Sequence, residues 1–287
     1  MTSGNRARPR RRFGRLIAGC SCLLFATGAA APETRDMALV PAGEFIMGDP
    51  AAGPTALPVR RVYLDAYWID KFEVTNAQFA TFLNAKNADR FDEQMEIEPG
   101  PDGTYGAEAG RERFPVRYVD WHGAAGFCRW AGKRLPTEAE WEKAARGTDG
   151  RPFPWGDAID GSRANFLSSG DPYDEGTTPV GFYDGKNPGT QDSPSPYGVY
   201  DLAGNVGEWV ADWYAPDAYQ TGPSRNPTGP AAGQARSGRG ASWQHPPELL
   251  RSTMRYSGRP DARYDYVGFR CARDGGQMAR LFQQRFS

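Results

Sequence analysis

Two carboxylates seven residues apart, Asp201 and Glu208, flank the turn-rich run Leu202-Ala203-Gly204-Asn205-Val206-Gly207. Calcium takes about six to eight oxygens, drawn from carboxylates and from carbonyls that tight turns leave exposed. Asp201 and Glu208 could ligate through side chains, with the carbonyls of Gly204 and Val206 between them. Equally, both acids could serve only to hold turn amides. A looser cluster, Asn165 and Phe166 with Asp171, Tyr173 and Asp174, offers oxygens for a second cation.

The chain has two histidines. His122 follows Trp121 at a helix start and reads as a structural or surface residue. His245 lies in Arg239-Gly-Ala-Ser-Trp-Gln-His-Pro-Pro-Glu-Leu-Leu-Arg-Ser-Thr-Met-Arg-Tyr256, with Trp243, Arg251, Arg255 and Tyr256 around it. With Glu248 as the one acid close in sequence, it makes a poor transition-metal site. Nothing is spaced like a Ser-His-Asp triad, a phosphate loop or a dinucleotide fingerprint.

These residues must be positioned by short elements. Ala38–Pro41, Gly43–Gly48 and Arg60–Trp68 read as strands. Thr75 caps a helix with Phe79, Phe82 and Leu83 on one face. Residues 86–112 are polar, Gly- and Pro-bearing, and read as a surface insertion. Asp120 caps a helix with Trp121, Ala124, Ala125, Cys128 and Ala131 inward, ended by Gly132. Thr137 and Glu140 form a capping box for the next, with Trp141, Ala144 and Ala145 inward and Gly147 at its end. From Arg151 to Cys271 no helical period emerges; short strands are expected at Val206–Trp213, Gly240–Trp243 and Gly268–Ala272. So long an irregular stretch needs another source of order, and bound metal is one such source.

The N-terminus predicts export. Six arginines from Arg6 to Arg15 precede an apolar run from Leu16 to about Ala31, with no acid before Glu33. That is the layout of a signal peptide over residues 1–31, too short for a membrane span. Arg10-Arg11-Arg12-Phe13 fits the twin-arginine form, and Leu16-Ile17-Ala18-Gly19-Cys20 resembles a lipoprotein cleavage box, although almost no apolar sequence precedes Cys20. The expected location is the periplasm or the extracellular space, with no transmembrane span in the mature chain. Setting the six leader arginines aside takes the formal charge from −1 to −7, which argues against nucleic acid. About 255 residues remain, enough for one large, well-buried domain. Cys128 and Cys271 are the cysteines left, and in an exported domain a disulfide is expected over two free thiols. In the loop-entropy view a bridge of that span contributes at most about 4–5 kcal/mol.

Several runs, in order, resemble one family. They are Met37-Ala-Leu-Val-Pro-Ala-Gly-Glu-Phe-Ile-Met-Gly48, Glu73-Val-Thr-Asn76, Trp130-Ala-Gly-Lys-Arg-Leu-Pro-Thr-Glu-Ala-Glu-Trp-Glu142, Phe153-Pro-Trp-Gly156, Gly204-Asn-Val-Gly-Glu-Trp209, Arg239-Gly-Ala-Ser-Trp243 and Gly268-Phe-Arg-Cys271. The chain is similar to the formylglycine-generating enzyme, or sulfatase-modifying factor, family. The resemblance spans about residues 37–274 of a domain running from 32 to 287. It implies a single α+β domain, a variant of the C-type-lectin fold with much irregular chain. It also implies calcium at Asp201, Gly204, Val206 and Glu208 and at a second site of Asn165, Phe166, Asp171 and Tyr173, and it pairs Cys128 with Cys271.

The catalytic residues do not carry over. Oxidase members of the family hold copper(I) on two cysteines just after the Gly-Gly-Ser motif, and soft thiolates suit that metal. Here the first position falls at or beside His245 and the second near Arg251-Ser252. Copper is therefore not expected. Three readings follow. The first is a calcium-stabilised accessory or binding domain, monomeric, for an exported protein, peptide or glycan. The second is a divergent periplasmic maturation enzyme, as in siderophore tailoring, with His245, Glu248, Arg251, Arg255 and Tyr256 as cleft candidates. The third, which the missing cysteines disfavour, is a formylglycine-generating oxidase.

Overall fold

The structure, a computed structural model, describes residues 36–276 apart from 86 and 174. The expected signal peptide and the lipoprotein box lie outside the described residues. Within them, alternation of apolar residues does what the sequence predicts. Strand β1 (Met37–Val40) buries Met37, Ala38 and Val40 against β4 (Tyr67–Asp70), and β11 (Ala272–Asp274) pairs with the other edge of β4. Strand β2 (Gly43–Met47) pairs antiparallel with β3 (Arg60–Leu64), and Phe45, Met47, Val62 and Leu64 point into the same core. The single strand expected over 60–68 is thus two. The chain breaks at Asp65–Ala66, so that β3 serves one sheet and β4 another.

Helix α1 (Asn76–Asn84) starts at a Thr75–Gln78 capping box and buries Phe79, Phe82 and Leu83. Beneath it packs a hairpin of β5 (Ile97–Pro99) and β6 (Tyr105–Ala107). The 86–112 segment is therefore not only surface: Met95 and Ile97 bury themselves in the α1 core. Helix α2 (Trp121–Trp130) is capped by Asp120, whose carboxylate accepts the Gly123 amide. Cys128 on α2 is bonded to Cys271, across 143 residues of chain.

Helix α3 (Glu138–Arg146) has the expected capping box and C-terminal Gly147, but its surroundings are unexpected. Glu138, Glu140, Glu142, Lys143 and Arg146 are all buried together with Trp141. A charged helix can be enclosed only if each charge finds a partner. Glu142 takes Arg239, Arg146, the Tyr219 hydroxyl and the Gly48 amide. Lys143 donates to the carbonyls of Pro41 and Gly43.

The sheet that carries the site runs β10 (Val267–Gly268), β7 (Gly207–Trp213), β8 (Arg236–Arg239), β9 (Tyr256–Gly258), with β10 parallel to β7 and the rest antiparallel. Two expectations shift here. The strand placed at Gly240–Trp243 ends at Arg239, because Gly240 (φ 91°) and Ala241 (φ 55°) turn the chain. Gly240 also lies against Trp141, whose ring a Cβ would meet at 3.1 Å. The strand placed at Gly268–Ala272 divides between β10 and β11. Between Arg151 and Asn205 order comes from Asx turns and related bonds. Asp160 holds Ser162, Asp171 holds Tyr173, Asp184 holds Lys186 and Asn205 holds Thr178, each through a backbone amide. Among the described residues no helix is long and apolar enough to cross a membrane.

Candidate functional site

His245 ends the turn that follows β8, and its backbone is pinned from both sides. Its amide donates to the Ser242 carbonyl, and its carbonyl accepts from Leu167. The ring nitrogen Nδ1 lies 2.8 Å from Ser242 Oγ, a fully buried hydroxyl. The imidazole packs against Tyr256 of β9 at 5.4 Å and Tyr266 at 5.8 Å between ring centroids. Burial holds its pKa below the usual value, partly offset by a hydrogen bond to the Ser242 backbone.

These rings border a half-open cavity of about 130 Å³, lined by His245, Tyr256, Tyr264, Tyr266, Trp209 and the backbone of glycines 207, 238 and 258. It is about the size of an apolar cavity that takes up a benzene ring. Its small volume depends on glycine: a Cβ at Gly258 would come within 2.6 Å of the Trp209 ring. Glu208 and Arg239 also contribute to the lining, but both are committed elsewhere. Both Glu208 oxygens accept from Arg270, and one also accepts from the Trp141 indole. Arg239 is tied to Glu142 and Glu138.

Of the five cleft candidates, the structure brings two together, His245 and Tyr256. Glu248 is exposed on a single 3-10 turn, Pro247–Leu250. Arg251 reaches Asp49 at 2.6 Å and holds that carboxyl below its ordinary pKa against the opposing effect of burial. Arg255 is buried and forked onto Glu138 at 2.7 and 2.9 Å. Near the expected second cysteine position, Ser252 is fully buried and its carbonyl accepts from Arg239. None of these four residues lines the cavity. Sequence reasoning missed Ser242, Trp209, Tyr264 and Tyr266. The Ser-x-x-His spacing across a turn and the Tyr264-x-Tyr266 alternation were the available signals. His122 is exposed in the first turn of α2. It borders a second groove of about 890 Å³, lined in addition by Trp121, Arg129, Arg134 and Asp274, that shares no residue with the cavity.

The two candidate calcium sets touch where Asn165 meets the Gly204–Asn205 turn. The Asn205 amide donates to the Asn165 carbonyl, and a Cβ on Gly204 would sit 2.0 Å from that same oxygen. Asp201, at φ 60°, accepts the Gly181 amide at 2.6 Å. Asp171 is occupied by Ser169, the Tyr173 amide and the Tyr183 hydroxyl. Of the buried side-chain oxygens left without a hydrogen-bond partner among the described residues, Asn165 Oδ1 lies in this region, and Glu73 Oε2 belongs to a carboxyl that faces Asp201. Glu73, Asp201 and Glu208 crowd one arginine, Arg270. Burial, and then the Asp201 carboxylate, push the Glu73 pKa well up, and burial raises that of Asp201. A cation would relieve both the charge excess and the orphaned oxygens, so the donor set fits one. Glu208 is the exception, since Arg270 already saturates it. Among the described residues no three His, Cys, Asp or Glu side chains form a ready metal cage. Any ion here would lean on carbonyls and Asn165. Asp174 lies outside the described residues.

Residues 25–275 match the sulfatase-modifying factor enzyme 1-like domain. The formylglycine-generating enzyme of Streptomyces coelicolor is 36% identical over 86% of this chain and 92% of its own length. The serine/threonine-protein kinase pkn1 of Chlamydia pneumoniae is 37% identical over 85% of this chain, which spans only 38% of that longer protein. Among solved structures, PvdO from Pseudomonas aeruginosa superposes with a TM-score of 0.67 at 28% identity, covering 83% of this chain and 94% of that one.

Proposed function

The chain belongs to the sulfatase-modifying factor family, and on that footing we propose that it is a cysteine-independent tailoring enzyme acting on an exported molecule. One observation carries the reading. The residue standing at or beside the family's first thiolate position, His245, forms a wall of a small, half-open aromatic pocket. Cys128 and Cys271 are bonded to each other, and Cys20 and Cys22 fall in the leader segment, so copper-thiolate chemistry lacks its ligands. In the tautomer whose Nδ1–H donates to Ser242 Oγ, the imidazole keeps the Nε2 lone pair and can accept a proton from a group inserted into the cavity. The cavity has room for one ring or side chain, so the substrate is a larger molecule presenting one such group.

The test is turnover. Purified protein is incubated with exported-fraction extract, and mass-shifted species are sought. His245→Gln is expected to slow their formation at least about a hundredfold. No mass shift from the wild type would overturn the enzymatic reading. Retention of a ligand without a mass shift, by wild type and variant alike, would instead support an accessory or binding domain, the reading that fits the aromatic lining with no reactive thiol. We propose further that calcium stabilises the Asn165–Asp201 region. One ion would be held by Asp201 with the carbonyls of Gly204 and Val206 and a second by Asn165 with the carbonyl of Phe166, and they would supply charge neutralisation. The arginine-rich leader supports export to the periplasm or beyond.

A further inference from the structure

The wall of the cavity facing His245 is braced from outside by a run of polar contacts. Gln244, adjacent to His245, donates from Nε2 to Asp265 Oδ2 at 2.7 Å. Asp265 in turn is adjacent to Tyr266, which packs on His245. The Asp265 carbonyl accepts from Arg117 Nη1 at 3.0 Å, and Arg117 Nη2 meets Glu96 at 2.8 Å. Glu96 also accepts from Asn76 at the start of α1. The hairpin-bearing segment 86–112 is thereby connected to the cavity through four residues, none of which lines it.

We propose that Gln244 is a positioning residue: its bond to Asp265, backed by Arg117 and Glu96, sets the separation of the His245 turn from the Tyr264–Tyr266 wall and so the width of the cavity mouth. The inference rests on the reading of this cavity as the active site. Backbone bonds pin each wall to its own support, His245 to Leu167, Tyr264 to Tyr118 and Tyr266 to Gly207, and the Gln244–Asp265 bond joins one wall to the other through side chains. Tyr264 and Tyr266 present rings rather than hydrogen-bonded hydroxyls to the cavity, and ring contacts alone fix distance weakly. A side-chain amide bonded to a carboxylate is directional and charge-assisted, and this one bond, running from the His245 turn to the tyrosine wall, holds both in register.

The experiment reads the His245 imidazole by proton NMR across pH in the full protein, where two histidines give two titrating signals and His245→Gln assigns them. It needs no substrate, so its failure is separate from failure of the turnover test. The groups facing His245 are Ser242 on its own turn, Tyr256 on β9, Tyr266 on the opposite wall, and Glu208 and Arg239 in the lining, each already ion-paired. In the wild type the midpoint lies below the ordinary 6.5 or so. Gln244→Ala opens the mouth, hydrates the ring and moves the midpoint up toward that value. Arg117→Met does the same to a smaller degree and serves if the first variant does not fold. Asp265→Asn keeps the acceptor oxygen and removes a charge, so it leaves the midpoint in place or lowers it. An unmoved midpoint in Gln244→Ala, with or without a lowered melting temperature, would assign the bond a merely structural role and overturn the proposal.

Discussion

Asp212 shows how far a buried side chain departs from its solution behaviour. It sits on β7 with its Oδ2 accepting the Glu138 amide at the start of α3, 2.8 Å away. Burial, and then the neighbouring Glu138 carboxylate, push its pKa up to about 8. Glu138 stays ionised: burial alone would raise it, but Arg255 and Arg239 hold it low. The sign follows. The folded pKa is above the unfolded value near 3.9, so the stabilising protonated form is complete below about pH 4 and is lost as pH rises through about 8. Asp212→Asn keeps the acceptor oxygen without the charge. Chemical denaturation at pH 5 and pH 8.5 should show the wild type losing stability relative to the variant at the higher pH. Equal differences at both values would contradict the assignment.

At the scale of elements, the helices and their caps were legible in the sequence because their signals are local. Thr75, Asp120 and Thr137 each act within three residues of themselves. The strands were less so. Arg60–Trp68 alternates like one strand, and only the pairing of its two halves with different sheets divides it. The ion network enclosing α3 was illegible, because its partners Arg239 and Arg255 lie about 100 residues further on. The same remoteness took Arg255 out of the cleft and put Tyr264 and Tyr266 into it. The disulfide ties α2 to the segment between β10 and β11, and its effect belongs to this scale. Replacing Cys128 and Cys271 with Ser should destabilise the fold by up to about 4–5 kcal/mol, seen as a melting temperature lower by roughly 10 °C or more. A change within a degree or two would mean that the bridge closes little entropy.

For the whole molecule, the expectation of one α+β domain with much irregular chain holds, and the described residues fall in one compact unit. What organises the irregular part is partly the side-chain bonding seen from Asp160 to Asn205. It is also, on the proposal made above, cations at Asp201 and at Asn165. Chelation should then lower the melting temperature, and added calcium should restore it. Asp201→Asn should weaken that response. Glu208→Ala should destabilise whether or not calcium is present, since Glu208 also neutralises Arg270. A melting curve indifferent to chelator in the wild type would count against the ion.

The sheet β1-β4-β11 has a consequence for how this domain can be built into larger proteins. Its first and last strands both run antiparallel to β4, so they run parallel to each other, with Met37 opposite Asp70 and Asp274 opposite Tyr67. They are two strand spacings apart, about 10 Å, and offset along the sheet by about another 10 Å. A polypeptide therefore enters the fold at one end of this sheet and leaves at the other without reversing direction. A domain wired in that way can be spliced in line with foreign sequence on either side, much as a bead is strung, and its hydrogen-bonded ends need not open to accommodate the join.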